Sequence, residues 1–161
     1  ALVIAVILVY MVMAAQFESL LHPFVVMFSV PFAFIGVVWV LFLAGYTLSM
    51  VVFLGGLLLI GVVVNNTIVL VDYINILRAR GLAMVMAVRE AGRSRLRPVL
   101  MTAITTIVAL TPMAFKRGQG SEAWNPLGAT IIGGLLVSTI VTLVLVPVIY
   151  SLFESRVRPS D

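Results

Sequence analysis

Long apolar runs, separated by short polar breaks, make up most of this chain. A helix needs about 20 residues to cross the hydrocarbon core of a bilayer, and most of the runs reach that length. The pattern predicts an all-α membrane protein, a bundle of five transmembrane helices. The predicted spans cover approximately residues 1–15, 23–44, 48–77, 98–116 and 127–153.

A weaker helical pattern follows the third predicted span, over approximately residues 82–93. It carries charged residues as well as apolar ones, which is typical of a helix that lies on the membrane surface. The first run, residues 1–15, begins abruptly, without an initiator Met, a basic segment or a cleavage site. We therefore expect it to be the inner part of a span that begins earlier in a longer chain, rather than a signal peptide.

Composition supports the membrane interpretation, because 63% of the residues are hydrophobic and only 10% are charged. Soluble globular domains have about 25% charged residues. The absence of cysteine excludes disulfides and thiolate chemistry. The formal charge of +4 does not indicate nucleic-acid binding, since the basic residues lie at or near the ends of apolar runs and no aromatic patch accompanies them.

The distribution of arginine predicts how the chain is oriented in the membrane. Cytoplasmic connections are enriched in Lys and Arg. Two basic residues lie in the loop at 116–126 and none in the first two connections, whereas the C-terminal tail carries Arg156 and Arg158. The connection between the third and fourth spans has six arginines: Arg78, Arg80, Arg89, Arg93, Arg95 and Arg97. We expect this connection, its surface helix and the C-terminus to be cytoplasmic.

Polar residues within the spans are the candidates for function. Asn65 and Asn66 lie midway along the third span, and Asp72 is seven residues after Asn65, on the same helix face. On the fourth span, Arg95 and Thr102 share a stripe in the same way. If the two stripes face each other, they form a polar column between helices. The alternative is that amides and hydroxyls only hold helices together, as they commonly do in membrane bundles.

Small residues in the third and fifth spans predict close helix approach in a packed bundle. They are Gly55, Gly56, Gly61, Gly128, Ala129, Gly133 and Gly134. Catalytic patterns are missing, including a Ser-His arrangement, paired intramembrane aspartates, a phosphate-binding loop and a metal-ligand cluster. We therefore expect no enzyme activity, no cofactor and no metal site. Asp72 is the only carboxylate within the spans, so the chain alone lacks a titrating group deep in the membrane.

Four segments carry a resemblance to a known family. They are FESLLHPF (17–24), GVVVNNTIVLVDYIN (61–75), RLRPVLMTAITTIVALTPMAF (95–115) and LVLVPVIYSLF (143–153). Together they resemble the C-terminal membrane half of resistance-nodulation-division (RND) efflux permeases of the drug- or hydrophobe-exporting type. The resemblance covers the chain in order, and implies that residues 1–161 are a fragment of a permease of about twelve spans, matching its last five.

The resemblance also implies a proton relay between the two membrane halves. In the family, an aspartate pair in the N-terminal half takes up the proton, and that half is absent from this chain. By motif, Asn66, Arg95 and Thr102 match the family's relay residues, whereas Asn65 stands where many drug pumps have Lys. We therefore predict a relay side formed by Asn65, Asn66, Arg95 and Thr102, with Asp72 as a further candidate.

Localisation and partners follow from the resemblance alone. It implies a multi-pass protein of the bacterial inner membrane, in contact with lipid. It also implies a homotrimer that works with a periplasmic adaptor and an outer-membrane channel, and proton-driven export of hydrophobic or amphiphilic compounds. The heavy-metal branch is a poorer match around Asn65 and Asn66. A helical scaffold bundle that transports nothing remains the alternative.

Overall fold

The computed structural model describes the backbone of residues 2–157, with the side chains of residues 3–149, 151 and 152. Arg158, which contributed to the predicted orientation, lies outside this range. The described backbone forms helices without strands. They are α1 (Leu2–Phe17), α2 (Leu21–Met27), α3 (Ser29–Ala44), α4 (Met50–Ala79), α5 (Met84–Phe115) and α6 (Ser121–Val157).

Four stretches of the described chain are long and apolar enough to cross a membrane. They are the nearly continuous pair α2 and α3 (Leu21–Ala44), then α4, α5 and α6. Helix α1 is apolar but has only 16 residues, or about 24 Å at 1.5 Å per residue. The predicted all-α membrane bundle is confirmed.

A proline explains why the second predicted span is divided into two helices. Phe28 separates α2 from α3 while keeping helical dihedral angles (φ −64°, ψ −22°). Pro31 lies three residues further on and has no N–H to donate to the carbonyl of Met27. The helix is therefore weakened at this point without changing direction sharply.

Helix α5 corrects the prediction of a separate surface helix over 82–93. The helix runs without interruption from Met84 to Phe115 and passes through Pro98 and Pro112. Prolines are tolerated inside transmembrane helices when neighbouring groups satisfy the freed carbonyls. Pro98 was expected to begin the fourth span, but the Arg-rich segment is the first part of the same helix.

Helix α6 also begins earlier than predicted, at Ser121 rather than at residue 127. The Ser121 hydroxyl donates to the carbonyl of Gly118, at 2.7 Å, just before the helix. Half of the expected polar loop at 116–126 is therefore helical. The loop that remains contains Gly118 and Gly120, both with positive φ angles that glycine adopts without strain.

Helix α6 lies at the centre of the bundle and contacts α3, α4 and α5. A methyl group on Gly36 of α3 would lie 2.5 Å from the carbonyl oxygen of Gly133, so only bare backbones fit at this crossing. A methyl group on Gly128 would lie 3.0 Å from the backbone nitrogen of Ala114 on α5. The predicted close approaches are therefore confirmed at Gly128 and Gly133. A methyl group on Gly61 would have no neighbour within 4 Å among the described residues, and close helix approach there stays a prediction.

Two clusters of buried apolar side chains hold the helices together. One joins the C-terminal half of α4 to α1, α2, the start of α5 and the end of α6, with Leu70, Ile74 and Val146 fully buried. The other joins α3, the N-terminal half of α4 and α6 through Leu59 and Leu135. Both clusters lie on one side of α4, and the described residues offer no partner to the opposite side of that helix.

Candidate functional site

The outward side of α4 carries the first two predicted residues. Asn65 and Asp72 are both exposed, and neither makes a side-chain hydrogen bond or ion pair within the described part of the chain. The other exposed residues of this face between Leu54 and Ala79 are small or apolar: Leu54, Leu58, Gly61, Val69 and Ile76. An amide and a carboxylate thus stand about 10 Å apart along an otherwise apolar stripe, at 1.5 Å per residue.

Asn66 points in a different direction from Asn65. It is half-buried, and it shares a flank of α4 with Tyr73, seven residues later. Tyr73 contacts α5, as described next, so this flank lies at the edge between the two helices. The side chain of Asn65 therefore lies on the outward face of α4, and that of Asn66 lies at the edge of α4 towards α5.

Arg95 of α5 reaches α4 at this edge. Its guanidinium carbon lies 4.7 Å from the centre of the Tyr73 ring, a cation–π contact. The Arg95 Nε atom is buried and has no hydrogen-bond partner among the described residues. A guanidinium that stays charged and is only partly partnered within the chain is available to an acceptor from elsewhere.

Thr102 and Thr106 lie further along α5, on the same side as Arg95. The Thr102 hydroxyl donates to the carbonyl of Pro98, at 2.9 Å, and the Thr106 hydroxyl donates to the carbonyl of Thr102, at 2.8 Å. Thr102 is exposed while Thr106 is half-buried. Both hydroxyl protons are used within α5, so each oxygen can serve an outside group only as an acceptor.

No described contact joins two of the five predicted residues directly. Arg95 contacts Tyr73, the residue after Asp72 in α4, and Asn66 lies on the same flank of α4 as Tyr73. Asn65 and Thr102 are exposed and share no hydrogen bond with each other among the described contacts. A relay role for these five residues stays a prediction.

A buried hydroxyl cluster between α3, α4 and α6 was missed from the sequence. Ser29, Thr67 and Thr142 are 0%, 0% and 2% exposed. The Thr67 hydroxyl oxygen lies 3.4 Å from that of Ser29 and 3.5 Å from that of Thr142. The sequence offered one indication, since Thr67 directly follows Asn66 in the middle of an apolar span.

The number of hydroxyl protons determines which members of this cluster can donate hydrogen bonds to one another. The Ser29 hydroxyl donates to the carbonyl of Val26, at 2.6 Å, and the Thr67 hydroxyl donates to the carbonyl of Val63, at 2.8 Å. Each hydroxyl has a single proton, so Thr142 is the member that can donate to Thr67, and the contact between Ser29 and Thr67 is then a packing contact without a proton of its own. The cluster packs three helices together on the buried side of α4.

The fold defines the class of protein, a multi-pass α-helical membrane bundle. The particular family follows from sequence. The chain belongs to the AcrB/AcrD/AcrF family, whose model matches residues 1–154. The resemblance to the membrane region of RND permeases is thereby confirmed.

Individual relatives agree with this assignment. The chain is 46% identical over 151 residues to the swarming motility protein SwrC of Bacillus subtilis (strain 168), which covers 93% of this chain and 14% of that protein. It is also similar to a crystal structure of a heavy metal efflux pump, with 33% identity and a TM-score of 0.83. That match covers 96% of this chain and 15% of the pump. The chain thus spans about a seventh of the length of these relatives.

Proposed function

We propose that this chain is a membrane module of a proton-driven efflux permease and forms the C-terminal side of its proton relay. The observation that carries this proposal is the exposed pair Asn65 and Asp72 on the unpartnered face of α4. Polar side chains in lipid are costly and normally face a protein or water-filled interior. In a family member that extends well beyond this chain, the second membrane half is the natural cover for this face.

The relay needs a carboxylate that gains and loses a proton, together with groups that respond to its charge. In our proposal the carboxylates come from the absent half, where the resemblance implies an aspartate pair. Arg95 supplies the cation on this side, and Asn66 and Thr102 supply neutral hydrogen-bonding groups. Asn65 offers only a dipole where many related pumps have Lys. The position of Arg95 at the edge of α4 supports its role as the compensating charge.

The exported compound is a separate part of the proposal. We propose a hydrophobic or amphiphilic cargo, as the drug-exporting branch of the family implies. A second candidate cargo is a heavy-metal ion, favoured by the 33% identity to a heavy metal efflux pump. We propose that regions outside this chain select the cargo. Transport of both cargo classes is therefore measured in the same assay.

Orientation and assembly complete the proposal. Arginines concentrated between Arg78 and Arg97 favour a cytoplasmic position for the connection between α4 and α5 and for the C-terminus. We propose a location in the bacterial inner membrane. We also propose a homotrimer that works with a periplasmic adaptor and an outer-membrane channel.

The test uses the full-length permease in proteoliposomes with an imposed pH gradient. Transport is recorded with ethidium as an amphiphilic probe and with Zn²⁺ as a metal probe, while a lumenal dye reports proton movement. We expect Arg95→Ala and Thr102→Val to reduce proton-coupled transport at least tenfold, because each removes a relay group. Thr111→Val is the matched control, since Thr111 is exposed on the same helix and bonds only to its own helix, at the Ile107 carbonyl.

The scaffold alternative predicts a different outcome. If the polar residues only hold helices together, Arg95→Ala and Thr102→Val will lower thermal stability but leave proton movement per folded protein unchanged. Normal coupling in both variants would contradict the proposed relay.

A further inference from the structure

We propose that Tyr73 is a positioning residue that holds the Arg95 guanidinium at the relay, through the face of its ring. The inference rests on the proposed function, because Arg95 is the relay cation in that proposal. Tyr73 itself is not one of the residues that match the family's relay motif. Its assignment comes from the contact between α4 and α5.

Helix geometry brings the two side chains together. Side chains in an α-helix lean towards its N-terminus. Helices α4 and α5 are joined by the short connection 80–83, and they pack together in opposite directions. Tyr73 therefore leans away from the connection and Arg95 leans towards it. The two side chains meet between their own levels, with the guanidinium carbon 4.7 Å from the ring centre.

Close packing below this point fixes the distance between the helices. Ala87 and Ala91 of α5 are completely buried in the cluster that includes Ile74 and Leu77 of α4. Arg95 follows Ala91 by four residues and so continues the same side of α5. The small alanines let the backbones approach, and the long arginine then has to extend over the surface of α4. Tyr73 is the aromatic surface it meets there.

The contact with Tyr73 also explains how a buried nitrogen of Arg95 is tolerated. Its Nε atom is shielded and has no hydrogen-bond partner among the described side chains and carbonyls. A charged group that is shielded from water needs a nearby group of negative potential to stabilise it, and the negative face of an aromatic ring supplies part of this stabilisation. A guanidinium over a ring face keeps N–H groups that are directed away from the ring, and these can donate to a carboxylate. The ring thus orients the cation without neutralising it.

A positioning role at position 73 requires an aromatic ring but not the tyrosine hydroxyl. Phe keeps the ring face and loses the hydroxyl, whereas Leu keeps an apolar side chain and loses the ring. A positioning role predicts that Tyr73→Phe behaves like the wild type and that Tyr73→Leu does not. A cation–π contact of this kind corresponds to a roughly three- to tenfold change in an equilibrium or rate.

The first experiment measures transport against pH in full-length permease, in the proteoliposome assay with ethidium and Zn²⁺. We expect Tyr73→Leu to reduce the rate roughly three- to tenfold. We also expect its half-maximal pH to move upwards, as in Arg95→Lys, because a displaced cation stabilises an ionised carboxylate less. Tyr73→Phe should stay within about twofold of the wild type. Tyr46→Leu is the control for loss of a half-buried tyrosine elsewhere in the bundle.

The second experiment does not depend on the cargo. A double-mutant cycle combines Tyr73→Leu with Arg95→Lys and measures the thermal unfolding of purified full-length protein. We expect the two shifts in melting temperature to be clearly non-additive, since Tyr73→Leu removes the ring and Arg95→Lys removes the planar guanidinium that lies over it, so both substitutions change the same contact. The pair Tyr46→Leu and Arg95→Lys should be additive. Additive shifts for Tyr73, with an unchanged pH profile, would overturn the positioning role.

The two proposals fail in distinguishable ways. Normal proton coupling in Arg95→Ala would refute the relay role of Arg95. Loss of coupling in Arg95→Ala, with Tyr73→Leu equal to the wild type in rate, pH profile and cycle, would refute only the role of Tyr73. A Tyr73→Leu protein that loses rate equally at every pH, and is additive with Arg95→Lys, would have a packing role alone, which also contradicts the inference.

Discussion

Gly36 of α3 and Gly133 of α6 bring two backbones into direct contact: a methyl group on Gly36 would lie 2.5 Å from the Gly133 carbonyl oxygen. Real Cβ atoms do not approach backbone oxygens this closely. The same methyl group would lie 2.8 Å from Val137, so the site is closed from two directions. The central helix of the bundle depends on glycine at this crossing.

We predict that Gly36→Ala destabilises the bundle. The added methyl group forces α3 and α6 apart, and overpacking of this type costs about 1–3 kcal/mol. Thermal unfolding of the full-length protein in detergent should therefore occur at a lower temperature. Gly92→Ala is the control, because the described residues leave open space around Gly92 in α5. Equal melting temperatures for the two variants would show that the crossing is more adaptable than the structure indicates.

Apolar run length was sufficient to predict that helices form and that they span a membrane, but their ends depend on local chemistry. Pro98 follows an Arg-rich segment, a pattern that predicts a helix start, although α5 passes through it. The preference of proline for a first turn is a local rule. Buried Ala87 and Ala91 hold the preceding turns against α4, and this tertiary packing decided the outcome.

We predict that Thr67→Val loosens the attachment of α4 to its neighbours. The valine keeps the shape but removes the hydroxyl that lies between Ser29 and Thr142. Buried hydrogen bonds between membrane helices contribute about 0.6 kcal/mol on average and up to about 1.7. The melting temperature should therefore fall modestly. Thr111→Val removes a bond within one helix and serves as the control; a larger loss in the control than in Thr67→Val would contradict the role of the cluster.

The candidate site was only partly predictable from sequence, for a geometric reason. Seven-residue spacing correctly placed Asn65 and Asp72 on one face, and both are exposed there. The same rule gives no information about which neighbour each face meets. Tyr73 was not singled out because its importance depends on the way Arg95 leans across from another helix. Ser29, Thr67 and Thr142 were missed because they are far apart in sequence and meet only in the packed bundle.

We predict that Asn65→Lys changes the pH dependence of transport. A lysine at this exposed position adds a positive charge to the outward face of α4, where Asp72 is the only acidic residue of that helix. A second cation near the proposed carboxylates favours their ionised form. The half-maximal pH of proton-coupled transport by the full-length permease should therefore move to lower values. Asn65→Gln, which keeps the amide, is the control and should leave the profile in place.

The same substitution tests compensation by Arg95. If Arg95 supplies the charge that Asn65 lacks, Asn65→Lys should restore part of the transport lost in Arg95→Ala. An unchanged pH profile in Asn65→Lys, together with full activity in Arg95→Ala, would contradict this division of roles.

The orientation of the chain can be tested with single cysteines, because residues 1–161 contain none and any cysteine elsewhere in the full-length permease can first be replaced by serine. The arginines around the connection between α4 and α5 predict that it is cytoplasmic, and the connection between α5 and α6 lies at the opposite end of α5. In intact cells, Gln119→Cys in the full-length permease should therefore react with a membrane-impermeant maleimide, whereas Arg89→Cys should react only after the membrane is opened. Both positions are exposed, so a difference in labelling reports sidedness rather than burial. The reverse pattern would place the Arg-rich end of α5 outside the cell and would contradict the proposed cytoplasmic position of the connection between α4 and α5.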